Sequence, residues 1–177
     1  MAPNIERERA LVDALANAYY EVLDQGYRTG CMLTASVSCA VLEHFGVQAQ
    51  VTPCQVWYSL AHHNYVVGFV GSAPQKDKWD GHVVCTSTNF LLDAALFHFK
   101  REFDMDVPWV ASVQRIPVAS QMMARYELPS GQSLKWLNPP PGSDTQYPEV
   151  PKGLVQELAG KLVERLQAVA SVPERSR

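Results

Sequence analysis

The sequence predicts a single α+β domain in which helices come first, strands follow and one helix closes the chain. Three observations predict it. Apolar residues recur at three- and four-residue steps between about residues 5 and 45, and again from 153 to 170. From residue 47 the pattern changes to short runs rich in Val, Tyr, Phe and Thr, broken by turn residues. Grouped helices followed by consecutive strands suit a mainly antiparallel sheet rather than alternating βαβ units.

Each element can be justified in turn. In the first helix, residues 5–24, the positions Ala10, Leu11, Ala14, Leu15, Ala18, Tyr19 and Val22 make one apolar stripe. Gln25-Gly26 ends it, with Gly26 as the residue past the cap. The second helix is predicted from Cys31 to Phe45. Thr29 can cap its start, Gly46 can close it, and Leu33, Val37, Val41 and Phe45 fall four apart. The residues between (Ala35, Ser36, Ser38, Ala40) are small, so neighbours can approach closely and the helix should be central and buried. Strands are expected at 48–57, 65–71, 82–88 and 90–94, and a hairpin at 122–128 and 133–137 across Pro129-Ser130-Gly131-Gln132. These elements form a core over 5–137. Residues 138–151 are a proline-rich, extended connection to a closing helix at 152–170, built on Leu154, Leu158, Leu162, Leu166 and Val169; residues 171–177 should fray.

The 177 residues suffice for one sizeable core and fall short of two. A formal charge of −3, with acidic and basic residues interspersed, argues against a nucleic-acid partner. No apolar run approaches the roughly 18–20 residues that cross a bilayer. The first ten residues are charged and lack the apolar stretch of a secretory signal, so no membrane partner is expected and the cytoplasm is the expected location. The cysteines, at 31, 39, 54 and 85, include no CxxC pair and should be free thiols. His62-His63 lacks further ligands at metal spacing and suits a turn or a cleft rim, so neither metal nor cofactor is implied.

Cys31 carries the chemistry if any residue does. A thiol in the first turn of a helix sits beside unpaired backbone N–H groups and the positive end of the helix dipole. Both favour thiolate, and the same N–H groups can receive the oxyanion of an attacked acyl carbon. A cysteine at an arbitrary position is more often a small buried hydrophobe, so its partners decide the matter. His82 opens a predicted strand after a polar loop. Asp93 is a carboxylate inside an otherwise apolar strand, and an unpaired carboxylate there would cost several kcal/mol. If 82–88 and 89–95 pair across a turn near Thr86–Asn89, Asp93 can orient His82 and His82 can activate Cys31.

These residues resemble the transglutaminase-like and papain-like cysteine enzymes. The order is the same: Cys at a helix start, His on a strand, Asp on the next strand. Gly30-Cys31 leads a small-residue helix into Phe45-Gly46-Val47-Gln48-Ala49, similar to the segment that follows the nucleophile helix in transglutaminase-like proteins. Gly81-His82-Val83-Val84 and Leu91-Leu92-Asp93-Ala94-Ala95 are similar to the family's His and Asp strands. The likeness spans residues 25–97. It departs from the family at Gln48 and Gln50, which replace Pro and Arg, at Ala94-Ala95, which replace a Thr, and in lacking an aromatic residue after His82. The resemblance implies a papain/transglutaminase-like core and a Cys31–His82–Asp93 triad. It also places Gln25 as the oxyanion-hole glutamine that precedes the nucleophile. Trp79, just before His82, is the candidate to line the cleft. The implied activity is acyl transfer through a Cys31 thioester on a peptide or small amide substrate, hydrolysis first and transfer to an amine second. A non-catalytic binding module on the same scaffold is the rival expectation.

Overall fold

The computed structural model describes residues 5–27, 30–59, 62, 64–71, 79–103, 105–116 and 120–170. Its central helix is α2 (Cys31–His44), apolar on nearly every face, with Thr34, Ala35, Val37, Ser38, Cys39, Val41 and Leu42 buried. A helix apolar all round must be covered all round. Here α1 (Ile5–Val22) and α4 (Lys152–Ala170) cover it on one side and the sheet on the other. Gly46, at φ 78°, reverses the chain after α2, and the Val47 N–H returns to Leu42 O at 2.9 Å, as an αL closing residue should.

The strands are β1 (Ala49–Ser59), β2 (Asn64–Val67), β3 (His82–Ser87), β4 (Phe90–Asp93), β5 (Ala111–Gln114), β6 (Met122–Glu127) and β7 (Ser133–Leu137). Their pairings are all antiparallel, in the order β5-β4-β3-β1-β7-β6, with β2 on β1. Just past β5, the Ile116 N–H donates to Met123 O on β6 at 2.8 Å, so the ends of the order meet and the sheet nearly closes on itself. Inside the curl, Val56, Val84, Leu91, Leu134 and Trp136 pack together with Leu96 and Phe99. Outside it, Cys85, Phe90 and Leu92 meet the helices. β3 and β4 are thus covered on both faces and buried at every position.

Several expectations shift. The buried face of α1 is Glu8, Val12, Leu15, Ala16, Ala18 and Tyr19, while Ala10 is exposed. Glu8 sets that rotation. Its carboxylate accepts from the Asn89 N–H at 3.1 Å, from Asn89 Nδ2 at 2.7 Å and from the Ser87 hydroxyl, holding the β3–β4 turn. An apolar count cannot see a charged anchor. Helix α1 ends at Val22, and Gly26 lies inside a 3-10 turn (Gln25–Tyr27) with no left-handed φ, so it is not the closing residue expected. β2 stops at Val67 rather than Gly71, and Val169 of α4 is 53% exposed. Two elements were not expected: α3 (Phe97–Phe103), which carries Phe99 into the curl, and the four-residue β5. Both are too short to show a period.

Candidate active site

Cys31 is the first residue of α2, and the N-cap position falls on Gly30, with no side-chain cap among the described residues. Thr29, the cap expected from sequence, lies outside the described residues. The Thr34 N–H bonds to Gly30 O at 2.9 Å, the first bond of the helical ladder. The N–H groups of Cys31, Met32 and Leu33 therefore have no acceptor within the helix, as first-turn donors never do. Thr34 stiffens this turn: its hydroxyl donates back to Gly30 O at 3.1 Å, and its carbonyl accepts from the Tyr19 hydroxyl at 2.9 Å.

His82 reaches this thiol from the first position of β3. The β3–β4 ladder pairs Cys85 with Leu92 and Thr86 with Leu91, across a turn at Thr88-Asn89. Continuing that register sets Asp93 across from Val84, with His82 two residues along on the same face. His82 Nε2 lies 2.9 Å from Asp93 Oδ2. That leaves Nδ1 to serve the Cys31 sulfur, which is within hydrogen-bond reach of the ring. Beyond the ladder the early β3 backbone is not paired to β4, and the Val83 N–H is directed at the Cys31 sulfur.

Asp93 is 1% exposed and fully engaged. Its Oδ1 accepts from the Ala95 N–H at 3.0 Å, and its Oδ2 also accepts from Trp136 Nε1 at 2.8 Å. Trp136, fully buried in the curl, fixes the carboxylate from β7, and sequence reasoning missed it. Forty-three residues separate it from Asp93, and only the sheet order brings them together.

The charges follow from these contacts. Burial would push the Cys31 thiol up, yet the His82 ring and the Val83 N–H bring it, in net, below its ordinary value. Burial would lower His82, but Asp93 and Cys31 raise it to about 10. Burial would raise Asp93, and the imidazolium and the Trp136 and Ala95 donors hold it down instead. These contacts favour the charged pair, a thiolate beside an imidazolium backed by a carboxylate, over the neutral one. The other thiols differ: all three are buried, burial holds Cys54 well above the usual range, and Cys39 and Cys85 pair with each other at 3.3 Å.

A pH dependence follows. The folded state raises the proton affinity of His82, so this stabilisation is complete below the unfolded value near 6.5 and is lost as pH rises through about 10. Chemical denaturation across pH should show stability falling on the alkaline side, with Asp93→Asn moving that limb to lower pH.

β2 and β3 lie end to end along one edge of β1, with Val67 opposite Val56 and His82 opposite Cys54. The chain leaves the sheet after Val67 and rejoins it at His82. At the base of this excursion Gly68 has φ 83°, and a Cβ there would stand 2.8 Å from His82 N and 3.0 Å from Cys54 O. Phe69 follows at φ 54°, its carbonyl held by Gln55 Nε2 at 2.9 Å and its N–H bonded to Asp80 O. Trp79 folds over Gly81, where a side chain would collide with the indole. Its Nε1 donates to Asp144 O at 3.0 Å, and its ring meets Phe69 and Tyr147 edge-on at 5.5 and 6.0 Å. Trp79 therefore ties the segment before His82 to the proline-rich connection. Gly68→Ala should cost about 1–2 kcal/mol in backbone strain alone and displace His82, slowing Cys31 alkylation as well as lowering the melting temperature. An unchanged alkylation rate in the folded variant would contradict the close approach.

Of the residues singled out from sequence, Cys31, His82 and Asp93 come together and Trp79 stands two residues from Gly81-His82. The side chain of Gln25 lies outside the described residues. His62 is exposed at the bend between β1 and β2, and His63 lies outside the described residues. Among the described residues no three His, Cys, Asp or Glu side chains gather as a metal-ion cluster, and no helix is long and apolar enough to cross a membrane. Compared with protein families, curated proteins and solved structures, the chain matches none.

Proposed function

We propose that this chain is a cysteine hydrolase of the peptidase or amidase kind, built on a papain/transglutaminase-like core and working through a thioester on Cys31. The observation that carries the reading is the bridging imidazole: one His82 nitrogen on a buried carboxylate, the ring within reach of a thiol at a helix start. An arrangement of this kind can keep a nucleophile charged with an acid beside it at neutral pH.

The steps use groups already in place. The Cys31 thiolate attacks the acyl carbon, and the oxyanion draws on the first-turn N–H groups of α2. His82 gives its proton to the departing amine as the C–N bond breaks, leaving a thioester and a neutral imidazole. His82 then takes a proton from water, whose oxygen attacks the thioester; the C–S bond breaks and releases a carboxylic acid with the thiolate–imidazolium pair restored. Asp93 holds the ring throughout and Trp136 holds Asp93.

The test is acylation by a small activated ester. On incubation with p-nitrophenyl acetate, intact-mass and peptide mapping should find one acetyl group on Cys31, formed in a burst and lost by hydrolysis. Cys31→Ala should abolish it. Acetyl distributed over lysines, with no burst, would remove the enzyme reading and leave a binding module. An adduct that discharges only when an amine is added would move the activity to acyl transfer.

A further inference from the structure

At the far end of α2 from the thiol, a cleft of about 600 Å³ opens between the helix C-terminus, the start of β1, the end of β3 and Arg115. Twelve residues of helix separate Cys31 from Glu43 on its rim, about 18 Å along the axis, so this is a different place from the candidate active site. Its volume falls in the range of small-molecule sites.

Its walls are fixed. Gly46 and Val47 are bonded back to Glu43 O and Leu42 O, both at 2.9 Å. On the opposite wall Ser87 is held by the buried Glu8 carboxylate, which spends all its bonds on this one turn. Thr86 is tied to Thr52 at 2.6 Å. Arg115 is anchored twice: its backbone N–H donates to Asn89 O at 2.8 Å, and its Nη1 to Ser87 O at 2.7 Å. Yet its Nε, shielded from solvent, has no acceptor among the described residues. A buried donor left without a partner bears its full desolvation penalty, and such an orphan is rare enough to require an explanation.

We infer that this cleft is a binding site for a small molecule bearing a carboxylate, laid side-on against the Nε–Nη2 edge of Arg115. That edge presents two parallel donors, the spacing a carboxylate matches with two hydrogen bonds. Binding entails a tilt of the guanidinium about its Nη1 anchor, which brings Nε to the cleft and satisfies it. Gln48, Gln50 and Thr88, on the lining, serve the polar remainder of the ligand. Glu43 on the facing rim repels polyanions, and its placement selects a compact ligand with one anionic end and a neutral or amine-bearing body. The site stands whether or not Cys31 is a nucleophile.

The Arg115 Nε–H is itself observable by ¹H–¹⁵N NMR, so the orphan reports its own rescue. Titration with butyrate and with 4-aminobutyrate should move that resonance saturably, together with the amides of Gln48, Gln50 and Thr88. Arg115→Lys, read on those amides, should weaken the response about tenfold or more, since an ammonium cannot present the fork. A double variant at exposed lining positions, Gln50→Ala with Thr88→Val, should weaken it too without disturbing the turn. Inorganic phosphate serves as the competing oxyanion. Shifts that stay linear in concentration, a response to phosphate alone, or full affinity in a folded Arg115→Lys or double variant would each overturn the assignment. Alkylation of Cys31 should be the same in all these variants, which keeps the two sites separable.

Discussion

His82→Gln should slow alkylation of Cys31 by about 10²–10⁴-fold at neutral pH and abolish acyl-enzyme formation. Glutamine cannot hold a proton beside the sulfur, so the contact that lowers the thiol is lost and burial pushes it up. The variant also leaves Asp93 buried opposite a neutral amide. Removing one partner of a buried ion pair costs about 3–5 kcal/mol, because the remaining charge is stranded. Denaturant unfolding should detect that loss alongside the kinetic one. The two effects separate with pH. Raising pH restores thiolate and should recover alkylation as the thiol titrates, while the stability deficit narrows only as wild-type His82 loses its own proton near pH 10. A His82→Gln protein whose Cys31 is alkylated at the wild-type rate would mean that the helix start alone activates the sulfur.

Asp93→Ala should produce the larger structural effect. It removes the acceptor of His82 Nε2, of the Trp136 indole and of the Ala95 N–H at once. Three donors, two of them on buried side chains, then face a cavity. A cost of about 3–5 kcal/mol is expected from the stranded imidazolium, unless His82 gives up its proton and the Cys31 thiolate with it. Asp93→Asn keeps the size and one acceptor oxygen, so it should fold and show the chemical loss by itself. Trp136→Phe divides the problem differently. It deletes the indole N–H to Oδ2 while leaving His82 and Asp93 paired, and should raise the Asp93 pKa and lower that of His82 with a modest loss of stability. Measuring Cys31 alkylation across pH in these three variants tests whether carboxylate charge, rather than packing, sets the reactivity of the thiol.

How much of this was legible beforehand depends on the range of the interaction. The three chemical residues could be found because each occupies a locally recognisable place: a helix start, a strand start after a polar loop, and a carboxylate in an apolar strand. Whether His82 and Asp93 share a face turned on a short turn, and a shift of one residue would have separated them. Thr88-Asn89 proves to be that turn, and Glu8, eighty residues earlier in the chain, holds it. Nothing near residue 88 announces Glu8, and its charge argued for an exposed helix face. Trp136 was equally hidden, because it meets Asp93 only through β7 pairing with β1 and the curl of the sheet. Gly68 could be named as a turn residue but not as the contact that lets the chain pass His82, since that approach is tertiary. Periodicity found the long helices and missed α3 and β5, which are held by Phe99 and by pairing with β4 rather than by any pattern of their own.

Alkylation by iodoacetamide as a function of pH tests most directly whether Cys31 is a thiolate beside a protonated His82. Peptide mapping should find Cys31 modified far faster than Cys39, Cys54 or Cys85. Its rate should hold through neutral pH with an apparent pKa well below the free thiol value of about 8.5. A Cys31 that reacts no faster than the three buried thiols, or one that titrates at 8.5 or above, would contradict the charged pair.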